Sequence, residues 1–178
     1  MFLLSLQFTL KWEGGLSDHP NDHGGLTYRG VTQDTCNQWC QLTGQRYRSC
    51  ASLLQTDIER IYKDMYWDRV KGDSLPWPLS LAVFDCAVHS GPSRSIKLLQ
   101  RACGIVEDGI IGPVTLASAG VIDPLKVVET RRAFLKYLIE KDPSQEDFRD
   151  GWMNRLDDLA KLLRSSTNSH GAMKVSSK

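Results

Sequence analysis

Glu13 is the strongest candidate for a catalytic residue in this sequence. It follows Leu3, Leu6 and Leu10 at alternating steps of three and four, which places its carboxyl on the apolar face of a predicted helix. Removal from water favours the neutral form of a carboxyl, and a neutral carboxylic acid is what a general acid needs to protonate a glycosidic oxygen. The ordinary alternative is a surface glutamate in the last turn of that helix.

The glycine-rich segment after Glu13 contains candidate partners for it. Asp22 lies nine residues after Glu13 and Thr27 five residues further on, so a hairpin that folds back would bring either side chain beside Glu13. A second carboxylate would orient or activate a water on the opposite face of a sugar, and the Thr27 hydroxyl would help to hold that water. Asp18 competes with Asp22 for this role. The alternative is that these acidic residues are turn residues whose side chains bond their own backbone.

Tyr28, Trp67 and Asp85 are candidate substrate-binding residues. Aromatic rings match the apolar faces of pyranose sugars, so Tyr28 and Trp67 are predicted stacking surfaces, whereas Tyr66 lies on the apolar stripe of its helix and is better interpreted as core. Asp85 lies inside an apolar helix, where a carboxylate must be paired or hydrogen-bonded. It forms the floor of a cleft on one interpretation, and caps a turn or pairs with an arginine on the other.

Histidine and cysteine offer weaker alternatives. His19 and His23 lie four residues apart, but the proline and glycine around them predict a loop, and a zinc peptidase needs a third ligand. Cys86 and His89 lie on one predicted buried helix, which is poor geometry for an exposed nucleophile. The five cysteines are an odd number, so we expect buried free thiols and leave open a single bridge such as Cys40 to Cys50.

Composition excludes several classes of protein. The 178 residues include 22 Lys plus Arg and 21 Asp plus Glu, and the resulting net charge of +1 gives no basic field to attract nucleic acid. No run approaches the roughly 20 apolar residues of a membrane span. Residues 1–10 are apolar but carry no basic residue, so we expect no signal peptide and synthesis in the cytoplasm.

Helical patterns dominate the elements that would position these residues. The only β-structure predicted lies in the glycine-rich residues 14–31, after a first helix that ends at Gly14 and Gly15. Periodicity is lost after Arg164, which predicts a frayed tail over residues 165–178. Helices are predicted near residues 3–13, 32–43, 58–66, 79–90 and 93–103, after Pro113, after Pro124 and from about Phe148.

Several separated motifs occur in order along the chain. They are Trp12-Glu13-Gly14-Gly15, Asp22-His23-Gly24-Gly25, Thr27-Tyr28-Arg29-Gly30-Val31-Thr32, Tyr66-Trp67, Phe84-Asp85-Cys86-Ala87-Val88-His89-Ser90-Gly91, residues 97–101, residues 108–116 and residues 142–155. Together, over residues 3–160, these motifs resemble glycoside hydrolase family 108 and its companion predicted peptidoglycan-binding region. This family comprises lysozyme-like N-acetylmuramidases, often phage or prophage endolysins.

The resemblance implies a mainly α, lysozyme-like helical fold with a small glycine-rich loop or β-hairpin after the first helix. It implies cleavage of peptidoglycan between N-acetylmuramic acid and N-acetylglucosamine, with Glu13 as the catalytic acid. Glu13, Asp22 and Thr27 are also similar to the Glu-Asp-Thr arrangement of phage-type lysozymes, with Thr27 one position short. Residues 1–91 would form the catalytic part and residues 92–164 a peptidoglycan-binding part packed on it.

The same resemblance sets the expected partners. These are the glycan strands of peptidoglycan at the cell wall or periplasm, with no metal or organic cofactor, and we expect a monomer. His23 and His89 depart from the family, which has proline and often asparagine there, and the insert from Cys36 to Cys50 departs as well. Two alternatives stay open: a non-catalytic wall-binding secretion or assembly factor, and a zinc-dependent wall amidase or peptidase.

Overall fold

The computed structural model describes the backbone of residues 1–13, 16–17 and 26–175, and the side chains of residues 1–13 and 26–166. The α-helices are α1 (Phe2–Trp12), α2 (Gln33–Thr43), α3 (Gln55–Tyr62), α4 (Leu79–Ser90), α5 (Pro92–Cys103), α6 (Pro113–Ala119), α7 (Pro124–Lys141) and α8 (Arg149–Val175). The strands are β1 (Leu16–Ser17), β2 (Thr27–Tyr28) and β3 (Val31–Thr32). Short 3₁₀ turns cover Cys50–Ser52, Gly72–Ser74 and Pro143–Phe148, and a π-helical turn covers Lys63–Trp67.

Helix α4 is the central element of the fold. Every residue from Leu79 to Ala87 is buried, and α1, α5 and α7 pack around it. A helix that is apolar on all sides is stable only when it is enclosed in this way. Its observed bounds confirm the prediction over residues 79–90, and Gly91, with φ of +83°, ends it before α5 begins.

The chain has two hydrophobic clusters that share α4. The first joins α4 to α5, α7 and α8, and also contains Phe8 of α1 and Leu159 of α8. The second lies among α2, α3 and the small sheet, and receives Phe84 from α4. Because both ends of the chain contribute to the first cluster, the N-terminal helix and the last helix are held against each other.

The small sheet after α1 is antiparallel and has its strands in chain order. Tyr28 pairs with Val31, and the two-residue turn between them has φ of 49° at Arg29 and 75° at Gly30. Positive φ at both positions is the type I′ geometry that matches the twist of a hairpin, and glycine adopts it without strain. The predicted mainly helical, lysozyme-like fold with a small hairpin after the first helix is confirmed.

The last helix differs from the prediction. Phe148 belongs to the 3₁₀ turn before α8, and α8 continues to Val175. Apolar periodicity after Arg164 is therefore lost before the helical backbone ends.

Two further expectations concern cysteines and membranes. Cys36, Cys40, Cys50 and Cys86 are buried free thiols, as predicted, and Cys103 is a half-buried free thiol. Within residues 1–13, 16–17 and 26–175, no helix is both long and apolar enough to cross a membrane.

Candidate active site

Glu13 is the first residue after α1. Its φ of −90° and ψ of 131° are extended, so the chain turns away from the helix axis at this residue. The Glu13 side chain is 20% exposed, so its carboxyl is neither in the core nor freely solvated. The apolar stripe predicted for α1 is buried only in part, since Leu6 is buried whereas Leu3 is 62% exposed, and the pattern did not show the turn at Glu13.

The Glu13 carboxyl borders a cleft of about 350 Å³. The N-terminal half of the chain lines it with Trp12, Glu13 and His89, the last from the end of α4. The opposite wall comes from the 3₁₀ turn before α8 and from the start of α8, and comprises Asp147, Phe148, Gly151, Trp152 and Arg155. The cleft thus lies between parts of the chain that are far apart in sequence.

Arg155 connects Glu13 to the interior. Its Nη1 donates a hydrogen bond of 2.8 Å to Glu13 Oε1, while its Nη2 donates one of 2.8 Å to Asp85 Oδ1. Arg131 donates from Nη1 to Asp85 Oδ2 at 2.6 Å, and the Thr9 hydroxyl donates to Asp85 Oδ1 at 3.1 Å. Two guanidiniums and two carboxylates therefore alternate in one network, so that their formal charges cancel.

Asp85 is a structural residue. It is fully buried, so its predicted place at the floor of a binding cleft is wrong and the alternative, pairing with arginine, is correct. Burial by itself raises the pKa of Asp85, but the guanidiniums of Arg131 and Arg155 more than offset this and lower the pKa to about 2. Asp85 therefore remains a carboxylate and fixes the orientation of Arg155.

The hairpin turn supports Glu13 from the other side. A Cβ at Gly30 would lie 2.9 Å from both Cβ and Cγ of Glu13 and closer still to Tyr62 Oη. The Tyr62 hydroxyl donates to the Arg29 carbonyl oxygen at 2.9 Å, which holds the turn in this place. Burial is the main reason that the pKa of Tyr62 is raised, so this hydroxyl keeps its proton and its role as a donor.

The structure describes some of the other predicted catalytic and substrate-binding residues. Thr27 and Tyr28 form β2 and are half-buried, and the Arg29 guanidinium lies 5.6 Å from the centre of the Tyr28 ring. Asp22 lies outside the described residues, and so do the two histidines of the zinc alternative. Among the residues that are described, no three His, Cys, Asp or Glu side chains form a metal-binding group.

Trp67 is a core residue, and its predicted role as a sugar-stacking surface is wrong. It is fully buried, and its ring centroid lies 5.5 Å from those of Phe2 and Phe84. A Cβ at Gly72 would clash with its indole ring, which shows how closely the backbone covers it. The cause is the π-helical turn Lys63–Trp67, because its wider turn rotates the side chains that follow α3 away from their expected face.

Phe148 and Trp152 line the cleft on the wall opposite Trp12 and Glu13. Their rings stack with centroids 5.8 Å apart and an interplanar angle of 18°. The sequence predicted only that the last helix begins at about Phe148. The signal that could have found them is the spacing of four and then three residues that separates Phe148, Trp152 and Arg155 in the sequence.

A helical fold whose carboxylate borders a cleft between two regions of the chain defines a lysozyme-like class of glycoside hydrolase. The chain belongs to the glycosyl hydrolase 108 family, whose model matches residues 6–91. A second family model, described as a predicted peptidoglycan domain, matches residues 94–157. The protein is thus a lysozyme-like glycoside hydrolase that acts on peptidoglycan.

A solved structure supports the same assignment. The chain is similar to a structure described as SagA of Brucella abortus, with 32% sequence identity and a TM-score of 0.76. The alignment covers 92% of this chain and 94% of that one, so both matched regions are included. No curated protein matches the chain.

Proposed function

We propose that this protein is an endo-acting muramidase that cleaves the bond between N-acetylmuramic acid and N-acetylglucosamine, with Glu13 as the general acid. The observation that carries the proposal is the placement of Glu13, half-buried at the cleft and held by Arg155 on one side and the hairpin turn on the other. Asp147, another carboxyl of this cleft, is exposed. A proton donor needs the fixed position that Glu13 has.

The reaction begins with transfer of the Glu13 proton to the glycosidic oxygen. The bond from that oxygen to C1 of N-acetylmuramic acid breaks, and positive charge develops at C1 and the ring oxygen. A water then adds to C1 and loses a proton. We assign the orientation of this water, or stabilisation of the positive charge, to Asp22, with assistance from Thr27, as the family resemblance implies.

Arg155 is placed to stabilise the negative charge that Glu13 carries after proton transfer. Once Glu13 has given up its proton, its carboxylate is stabilised by the guanidinium 2.8 Å away. Stabilisation that grows as charge develops lowers the barrier to proton transfer. Because Asp85 shares the charge of Arg155, this stabilisation is smaller than an unpaired arginine would provide.

The same ion pair favours a second candidate function. A general acid must itself carry a proton to give, whereas Glu13 is paired with the guanidinium of Arg155. If this pair persists when glycan binds, the cleft binds glycan without cutting it, and the protein is a wall-binding secretion or assembly factor.

Analysis of fragments separates these functions. Purified Gram-negative sacculi are incubated with the protein, the soluble products are reduced with borohydride, and the sugar ends are identified by mass spectrometry. The proposal predicts new reduced N-acetylmuramic acid ends. Reduced N-acetylglucosamine ends or free peptides would assign a different hydrolase activity, and protein retained on intact sacculi would assign binding alone.

We also propose that the protein acts as a monomer at the cell wall, as a bacteriolytic endolysin of phage or prophage type. The support is that one chain supplies both walls of the cleft. Size-exclusion chromatography with light scattering tests the first point, and lysis of cells in which the protein reaches the periplasm tests the second.

A further inference from the structure

We propose that Phe148 and Trp152 form a sugar-binding platform in the Glu13 cleft, on which one N-acetylhexosamine ring of the glycan strand stacks next to the cleaved bond. This inference rests on the proposed function, because it names the substrate contact of the same cleft. It assigns the second matched region a direct place in the substrate site.

The geometry of the two rings carries the proposal. The two rings are stacked and nearly parallel, so together they form the flat apolar surface of the platform. Phe148 is 53% exposed although it is a large apolar side chain, whereas Trp152 is half-buried and packs against the core. Trp152 is thus the fixed base of the platform, and Phe148 is the surface that a ligand would cover.

The platform lies close to the acid. Trp152 and Arg155 are separated by about one turn of α8, or about 4.5 Å along the helix axis. Arg155 in turn contacts Glu13 at 2.8 Å. Both rings line the same cleft as Glu13, so a sugar that stacks on the platform shares that cleft with the proton donor.

The surroundings fit a neutral sugar ring. Aromatic faces bind the C–H groups of a pyranose, and the Asp147 carboxylate at the same wall accepts hydrogen bonds from hydroxyl or amide groups. His89 meets the edge of Trp152, with ring centroids 5.6 Å apart. Burial, with the positive charges of Arg131 and Arg155, lowers the pKa of His89 to about 3, so this imidazole is neutral and contributes hydrogen bonding without charge.

The charges in the cleft disfavour binding of the peptide part of peptidoglycan. The stem peptides of peptidoglycan carry carboxylates, and the cleft already has the carboxyls of Glu13 and Asp147. The positive charge of Arg155 is compensated by Asp85 and Glu13. An anionic peptide would meet like charge there, whereas an uncharged N-acetylhexosamine would not.

The test compares Phe148→Ala with Tyr137→Ala. Tyr137 is a matched control, since it lies in the same matched region and is 51% exposed, but it does not line the cleft. Each change is made in the wild-type chain for kinetics on sacculi and in a Glu13→Gln chain for binding to sacculi. Melting temperature is measured for every variant.

Phe148→Ala is expected to raise KM and the dissociation constant by about three- to tenfold, with kcat changed less than about twofold. Phe148→Trp is expected to restore both constants, and Tyr137→Ala to leave them unchanged. The proposal is overturned if Phe148→Ala behaves like Tyr137→Ala, or if kcat alone falls while binding is unchanged. Absence of any glycan cleavage by the wild-type chain would refute the proposed function, and the binding comparison would still test the platform.

Discussion

Arg155 and Glu13, 142 residues apart in the chain, are joined by a hydrogen bond of 2.8 Å. Glu13 lies in the region that matches the glycosyl hydrolase model, and Arg155 lies in the region that matches the peptidoglycan model. The second region therefore positions the candidate acid as well as lining the cleft. Neither region alone contains both walls of this site.

Replacement of Gly30 tests whether the hairpin turn positions Glu13. Gly30→Ala places a methyl group against Tyr62 and Glu13 at a residue whose φ is +75°. We expect it to lower kcat by about 10- to 100-fold, because small displacements of a catalytic group have effects of that size. Hydrolysis of sacculi at saturating substrate measures the change.

Gly44→Ala is the matched control for this change. Gly44 has φ of +68°, but a Cβ there would meet no atom within 4 Å. Both variants should lose about 1–2 kcal/mol of stability from the positive φ alone. Only Gly30→Ala should lose activity, and equal activity in the two variants would show that the turn does not position Glu13.

Removal of the Asp85 charge tests the buried network. Asp85→Asn leaves Arg131 and Arg155 without their shared carboxylate, so we expect a loss of about 3–5 kcal/mol in the free energy of unfolding. Glu107→Gln removes the exposed partner of Arg101 and should cost less than about 1 kcal/mol. Urea denaturation measures both values, and similar small losses would contradict the assigned role of Asp85.

His89 makes the stability of the protein depend on pH. Its pKa is lowered from 6.5 to about 3 in the folded state, mainly by burial, so the unfolded chain binds more protons between these values. The stability that the neutral imidazole contributes is fully present above pH 6.5 and is lost as pH falls toward 3. The loss amounts to at most about 1.4 kcal/mol per pH unit.

His89→Asn isolates this contribution, because asparagine does not titrate. Between pH 6.5 and 5, where the carboxylates of the ion pairs remain charged, its stability should fall less steeply than that of the wild type. Urea denaturation at several pH values measures the two slopes. Parallel slopes would mean that folding does not lower the pKa of His89.

Local signals predicted much of the helical framework. Pro78 and Gly91 are separated by twelve residues, and α4 occupies those residues as Leu79–Ser90. Gly44 adopts the left-handed conformation that ends α2, and Thr32 caps its start by accepting a hydrogen bond from the Thr35 backbone. These residues act through their own backbone conformation, which is why the sequence alone reveals them.

The missed parts of the site depend on contacts between distant residues. The pairing of Arg155 with Glu13 and Asp85 has no periodic signature, because it depends on how α8 packs against α1 and α4. Trp67 was misassigned because one π-helical turn rotates it into the core. The last helix was predicted from about Phe148 but begins at Arg149, because apolar spacing does not show that the chain is still in a 3₁₀ turn at Phe148.

The measurement that tests the central claim most directly is the rate of glycan cleavage by the Glu13→Gln variant. The amide keeps the size of the side chain and an oxygen that accepts from Arg155, but it has no acidic proton to give. Reduced N-acetylmuramic acid ends released from sacculi are counted over time for the wild type, for Glu13→Gln and for Glu107→Gln, which makes the same chemical change at an exposed site. We predict that Glu13→Gln remains folded and binds sacculi but cleaves about two to four orders of magnitude more slowly, while Glu107→Gln keeps the wild-type rate. A near-normal rate in Glu13→Gln would contradict its assignment as the general acid.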